Sequence, residues 1–410
     1  MSVSVWRSGG RLAAIGVLAV AVLVLRAPAA AQETAPLPAM YVLDFLGTAS
    51  WGDGMNADGV VIGEKSIDVG CGSGCLAPTE MGVWTGVDFA ALPLAPQWDT
   101  VFLEGINSAG WIVGTSSGAE IRGAVWKPTS GGYELIVIEP PAGTDETHVF
   151  GIDDLNRVVG YSYRRVPQAS FSFVWTELDG IVELTGLGFP NDDPQAISPG
   201  GTVAYLWGWY QLDVPGVVHE NAPPPPGFLG PGAYFEINDA GDQVRLLGPS
   251  SGQNLHYAFR YYNNGDWQQI WTSPASDLSP FGVGSITRDL DIALTISANG
   301  LLAPGPAQGA ESLTNRLSPA YGDAYVTEAA ALSEAGEVLA RVMMGRSQRL
   351  VRMVEGVPCT ASCLVVARLQ LMADFVDDPT DPGRCVGTAH TRAQARVQVV
   401  DESGRPVAGA

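Results

Sequence analysis

Lysine is almost missing from this 410-residue chain: Lys65 and Lys127 are the only two, against 43 acidic residues and a formal charge of −21. Such a surface repels phosphate backbones, and no Lys/Arg stripe reverses the sign locally, so nucleic acid is excluded as a partner. The same scarcity removes an electrostatic grip on anionic lipid heads. Histidine is nearly as rare, and His148, His219, His256 and His390 are scattered. No Gly-x-Ser-x-Gly elbow is present, and Ser198-Pro-Gly-Gly lacks the Asp and Trp of a sialidase-type Asp-box. The adjacent acids Asp153-Asp154 and Asp192-Asp193 fall in expected turns and read as solvated. No catalytic, cofactor-binding or metal-binding set is expected, and hence no cofactor.

Long apolar runs are missing too, with one exception at the start. Arg7 and Arg11 precede an apolar run over residues 12–25, and Ala29-Ala30-Ala31 follows it. That order is a secretory signal peptide over residues 1–31. The run is shorter than the ~20 residues a permanent span needs, which disfavours the alternative of an uncleaved anchor. Removing three leader arginines and no acid takes the charge from −21 to −24. The mature chain is expected to be secreted or held at the cell surface, without an integral membrane segment and as a monomer. Five cysteines are present, as Cys71-x3-Cys75, Cys359-x3-Cys363 and Cys385. In an exported chain the two close pairs read as local disulfides; zinc, the other reading, wants four ligands close together.

What the chain has in abundance is one phrase: an apolar strand, a four-residue turn opening on Asn or a substitute and closing on Gly, then a second apolar strand. It reads Gly54-Met-Asn-Ala-Asp-Gly59 and Gly105-Ile-Asn-Ser-Ala-Gly110, then Gly151-Ile-Asp-Asp-Leu-Asn156 with Asn at the closing position. Ala196-Ile-Ser-Pro-Gly-Gly201, Glu236-Ile-Asn-Asp-Ala-Gly241 and Ala331-Leu-Ser-Glu-Ala-Gly336 continue it, with a degenerate copy at residues 285–291. The turn-opening residues Asn56, Asn107, Asp153, Ser198, Asn238, Thr287 and Ser333 are spaced by 51, 46, 45, 40, 49 and 46 residues. Thr287 is the weakest of these, because Ser297-Ala-Asn-Gly300 also resembles the turn. The chemistry is that of turns: the opening side chain accepts from amides two residues on, and Gly or Asn takes the left-handed backbone. Calcium ligation by these side chains is the alternative, but calcium loops carry acids at alternate positions and these do not.

Each period holds four strand-like segments, such as residues 102–106, 111–115, 122–126 and 133–138. Four short antiparallel strands per ~45 residues describe a propeller blade. The expected fold is therefore all-β: a seven-bladed β-propeller over residues 32–356, six or eight blades being the alternatives. Residues 41–46 match a fourth strand with no blade before them, and residues 327–353 form a blade lacking its fourth. The N-terminal strand should complete that last blade and remove the open edges. Aromatics ending the third strands (Trp84, Trp126, Trp175, Phe259) read as core between blades rather than sugar platforms. Trp207, Trp209 and Tyr210, in the least regular copy and just before Pro223-Pro-Pro-Pro226, are the candidate ligand-contact surface.

These residues resemble the HAF-type probable extracellular repeat family of bacterial secreted proteins. Its unit reads Tyr-x-Val-x-Asp-Leu-Gly, Gly-Ile-Asn-x-x-Gly-x-Val-Val-Gly and His-Ala-Phe-x-Trp; residues 41–47 and 105–114 match closely. The naming triplet departs, as Gly-Ala-Val-Trp at 123–126, Ser-Phe-Val-Trp at 172–175 and Tyr-Ala-Phe at 257–259. The resemblance implies export and repeated β architecture, and carries over no catalytic residue. Residues 357–410 change character, and their segments 364–375 and 395–410 look like the opening strands of an Ig-like module, which needs ~100 residues. The functional expectation is a non-enzymatic binding or surface-display protein for a glycan or protein; the alternative is a glycoside-type hydrolase using the central channel.

Overall fold

The computed structural model describes residues 41–355, apart from 49, 68–78, 87, 250–256, 273–281, 297–298, 307–308 and 346, together with the backbone of four strands between 365 and 400. The leader and the four close-paired cysteines lie outside the described residues. Among them there is no α-helix; Leu184–Leu187, Leu313–Arg316 and Pro319–Tyr321 are single 3₁₀ turns. No helix is long and apolar enough to cross a membrane.

Seven four-stranded antiparallel sheets follow one another around a ring, forming a β-propeller. Blades 1 to 6 occupy residues 51–91, 100–138, 146–183, 194–220, 228–272 and 282–312, each with its strands in chain order. Blade 7 takes three strands from 325–355 and its fourth from the other end of the described chain: Tyr41–Thr48 pairs antiparallel with Ser347–Glu355, Leu43 opposite Met353. The closure is also tied by side chains. The Tyr41 hydroxyl donates to the Gly336 carbonyl at 2.9 Å, and Arg352 bonds the Asp44 carboxylate at 2.9 Å.

Apolar clusters lie between consecutive blades. Ile62 and Val83 of blade 1 pack against Val101, Ile112 and Trp126 of blade 2, and Val113 and Ile138 of blade 2 against Val149, Val158 and Phe173 of blade 3. Strands covered on both faces explain the near-continuous apolar runs of the second strands, such as residues 111–113 and 158–159. Trp84, Trp126, Trp175 and Phe259 all sit in this core, with Trp84 donating its indole N–H to the Leu46 carbonyl across the closing blade.

The repeated turns lie between the first and second strands of each blade. In Asn107 the carboxamide oxygen accepts from the Ala109 and Trp111 amides at 3.1 and 2.9 Å, and Asn56, Asp153 and Asn238 do the same. Gly59, Gly110, Gly201, Gly241 and Gly336 carry the positive φ, and Asn156 (φ 61°) and Leu290 (φ 69°) stand in for Gly. The sixth turn therefore falls at Thr287–Asp291, and Asn299 begins a third strand. Near the C-terminus Val365–Met372 pairs with Gln394–Val400 and Phe375–Asp378 with Asp381–Gly387.

Candidate functional site

The first strand of every blade is its innermost, because residues from all seven line one axial cavity of about 390 Å³. At one end of this channel the turns form a belt. The Asn56 side-chain NH₂ donates to the Asn107 carbonyl of the next blade, Asn107 to that of Asp153, and Asn238 to that of Thr287. An Asn thus uses its oxygen within its own turn and its NH₂ to hold the neighbouring one. Asp153 has no donor for the second task, and the Asp154 amide bonds the Pro199 carbonyl instead. Further bonds join the turns of neighbouring blades: Asp154 accepts from the Ser108 amide, Asp239 from Gly200 and Glu334 from Arg288.

Contrary to the solvated reading of its acid pair, Asp153 is fully buried. Desolvation raises its pKa, opposed by Arg157, whose Nε donates to it at 2.6 Å. It belongs to the wall, not to a ligand site.

The channel lining comes from a repeated irregularity. In six blades the first strand is bulged at the residue two before the turn-flanking apolar side chain, at Asp53, Glu104, Phe150, Gln195, Gly284 and Ala330. A bulge leaves one residue out of the ladder and re-aims it. In blade 5 the slip falls one residue earlier, at position 234, and Glu236 occupies the place of the small residues Gly54, Gly105 and Gly151. Asp53, Glu104 and Glu236 consequently meet in one cavity.

None of these three carboxyls has a hydrogen bond or ion pair among the described residues. They reach channel water but are walled in by protein, which favours the neutral acid. Asp53 is raised to about 7 by burial and then by the charges of Glu64, Glu104 and Glu328; Glu104 is raised to about 7 by burial; Glu236 is raised to about 8 by burial and by Glu104. On the same inner strands Trp51 and Phe102 are exposed, at 45% and 58%. Trp51 lies under the Arg341 guanidinium, 4.8 Å from the ring centre, and Arg341 is paired with Glu328 at 2.9 Å. Unpaired carboxyls in the cavity, with exposed aromatics two residues before Asp53 and Glu104 on the same strands, suit a ligand bearing both C–H faces and hydroxyl or ammonium donors. No group of three metal-ligating side chains occurs among the described residues.

The expected contact surface needs correction. Trp207 is exposed, at the tip of a tight hairpin between Thr202–Tyr205 and Gly208–Gln211. Trp209 and Tyr210 are buried: Trp209 stacks on His219 at 3.8 Å and Tyr210 on Phe189 at 4.4 Å. Both sit on an inner-sheet strand covered by its neighbours, so two of the three aromatics are core. The channel acids were missed, although Asp53 and Glu104 precede Gly at the same place in the phrase. Also missed was the grouping of Glu146, His148 and Tyr161; the signal was the hairpin register, which sets His148 opposite Tyr161.

No family model matches the chain, and no curated protein matches it. Among solved structures it is similar to an oligogalacturonate lyase from Vibrio parahaemolyticus, at 10% identity and a TM-score of 0.47, over 77% of this chain and 91% of that one. It is similar to the SapL1 lectin in complex with alpha methyl fucoside, at 12% identity and 0.34, over 66% and 96%. AofleA from Arthrobotrys oligospora follows at 10% and 0.35, over 89% and 92%. Likenesses this distant transfer no function.

Proposed function

We propose that this chain is an exported, non-enzymatic binding module of the HAF-type repeat class, whose propeller channel takes up a glycan. Residues 1–31 are its leader, residues 32–356 the propeller, and residues 357–410 the start of an Ig-like module. The observation that carries the reading is the axial cavity where Asp53, Glu104 and Glu236 lack protein partners among the described residues, with exposed Trp51 and Phe102 two residues before the first two of these acids on the same inner strands. Sugars offer what those groups want: hydroxyl donors for the carboxyls and apolar ring faces for the aromatics. With Asp53 and Glu104 raised to about 7 and Glu236 to about 8, a neutral saccharide entering near neutral pH meets acids that are only partly ionised.

The test is a glycan array on the full chain, followed by calorimetry. Trp51→Ala and Glu104→Gln should each weaken a captured glycan about tenfold; unchanged affinity in both would refute the site. A second reading has one observation behind it: a carboxyl that holds its proton near pH 7, as Asp53 and Glu104 do, has the property of a general acid. Turnover of a captured glycan, lost in Glu104→Gln, would make the module a hydrolase.

A further inference from the structure

Outside the belt and the acid cluster, one group of polar side chains has no structural task. His148 lies on the first strand of blade 3 (Glu146–Ile152), five residues before the turn and so about 16 Å along the strand toward the opposite mouth of the channel. Its ring stacks on Tyr161 of the second strand, with centroids 4.5 Å apart and planes 10° from parallel. Its Nε2 meets the Glu146 carboxylate at 3.1 Å, and Glu146, itself 7% exposed, is bonded to Arg165. The imidazole is thus fixed by a stack on one side and the Glu146 carboxylate on the other, and its Nδ1 has no hydrogen bond among the described residues.

Two further polar groups are unpaired beside it. The Tyr161 hydroxyl has no hydrogen bond among the described residues, and neither has the carboxylate of Asp193, which immediately precedes the first strand of blade 4. Asp193 is raised by burial and by Asp192 and drawn down by His148; Tyr161 is raised by burial and then by Asp193 and Glu146. The first strand of blade 4, which Asp193 immediately precedes, packs against the two strands of blade 3 that carry His148 and Tyr161. Phe150 joins that neighbourhood to the channel: it lines the axial cavity, and its ring centre is 5.7 Å from that of Tyr161.

Half-exposed polar atoms without a protein partner, held around an aromatic edge that runs into the channel, are open to a ligand's hydrogen bonds. The available chemistry is mixed: an acceptor from Asp193, a donor and acceptor from Tyr161, either role from His148, and a continuous aromatic edge. A saccharide meets all four at once, whereas an anion would meet Asp193 and Glu146, and an aliphatic chain would leave every polar atom unpaired.

Resting on the glycan reading of the channel, we infer that His148, Tyr161 and Asp193 form a second saccharide subsite at the blade 3–blade 4 junction, so that the ligand is an oligosaccharide threading from the acid cavity along Phe150. Tyr161→Phe is the sharpest probe because it deletes one hydroxyl and keeps the stack. Asp193→Asn deletes the charge and keeps the shape.

The experiment is calorimetry of the full chain with mono-, di- and trisaccharides of a neutral sugar captured on the array, for wild type, Tyr161→Phe, Asp193→Asn and Glu104→Gln. Both subsite variants should weaken the trisaccharide about tenfold and leave the monosaccharide within twofold, while Glu104→Gln weakens both. Equal affinity of wild type and Tyr161→Phe for the trisaccharide overturns the subsite but leaves the channel reading intact. A wild-type chain that captures no saccharide overturns both. Thermal melts accompany each variant, and if Asp193→Asn does not fold, Tyr161→Phe decides alone.

Discussion

Glu236→Gln gives a direct measure of what the channel does to its acids. The Glu236 carboxyl is raised from 4.5 to about 8 by burial and by the charge of Glu104. It therefore binds its proton more tightly in the folded state than in the unfolded chain. As pH rises from 4.5 to 8 the unfolded chain gives up this proton first, so stability falls across that window and the loss is complete above 8. At about 1.4 kcal/mol per pKa unit the ceiling is about 5 kcal/mol. Channel water reaches the carboxyl and keeps the effective dielectric high, so about 1–2 kcal/mol is the realistic share. Gln keeps the size and removes the charge. Thermal midpoints of wild type and variant should coincide within a degree at pH 5, and at pH 9 the variant should melt about 2–4 °C higher. The same offset at both pH values, or a less stable variant at pH 9, would refute the claim that Glu236 is unpaired and charged at a cost.

Gly110→Ala isolates the backbone term of the repeat. Its φ is 79°, and an added Cβ would meet nothing closer than 3.9 Å, so the loss of about 1–2 kcal/mol in urea unfolding should come from the left-handed conformation alone. Tyr41→Phe removes the hydroxyl that reaches the buried Gly336 carbonyl and should cost about 1–2 kcal/mol, read in the same assay. Arg157→Met strands the buried Asp153 carboxylate; a loss of about 3–5 kcal/mol at pH 8, shrinking as acid protonates Asp153, is expected from pH-resolved melts.

Particular residues show why the ring was legible and the site was not. A turn such as Asn107-Ser-Ala-Gly110 is closed by its own four residues, through side-chain bonds to the Ala109 and Trp111 amides, so its signature survives in the linear chain. Seven such signatures at near-constant spacing, with a spare strand at residues 41–46 and a vacancy in the last blade, led to a closed ring, and the ring is what the structure has. The candidate ligand surface fared differently. Exposure of Trp207 and burial of Trp209 and Tyr210 depend on which neighbouring blade covers which face, and composition does not carry that information.

Local hydrogen bonding and strand periodicity are properties of contiguous residues, and they alone determined export signal, repeat, blade count and closure as expectations. The meeting of Asp53, Glu104 and Glu236 joins residues from three different blades. Only closure of the ring decided that, because a bulge on an inner strand points into a shared channel only when the other six sheets stand around the same axis.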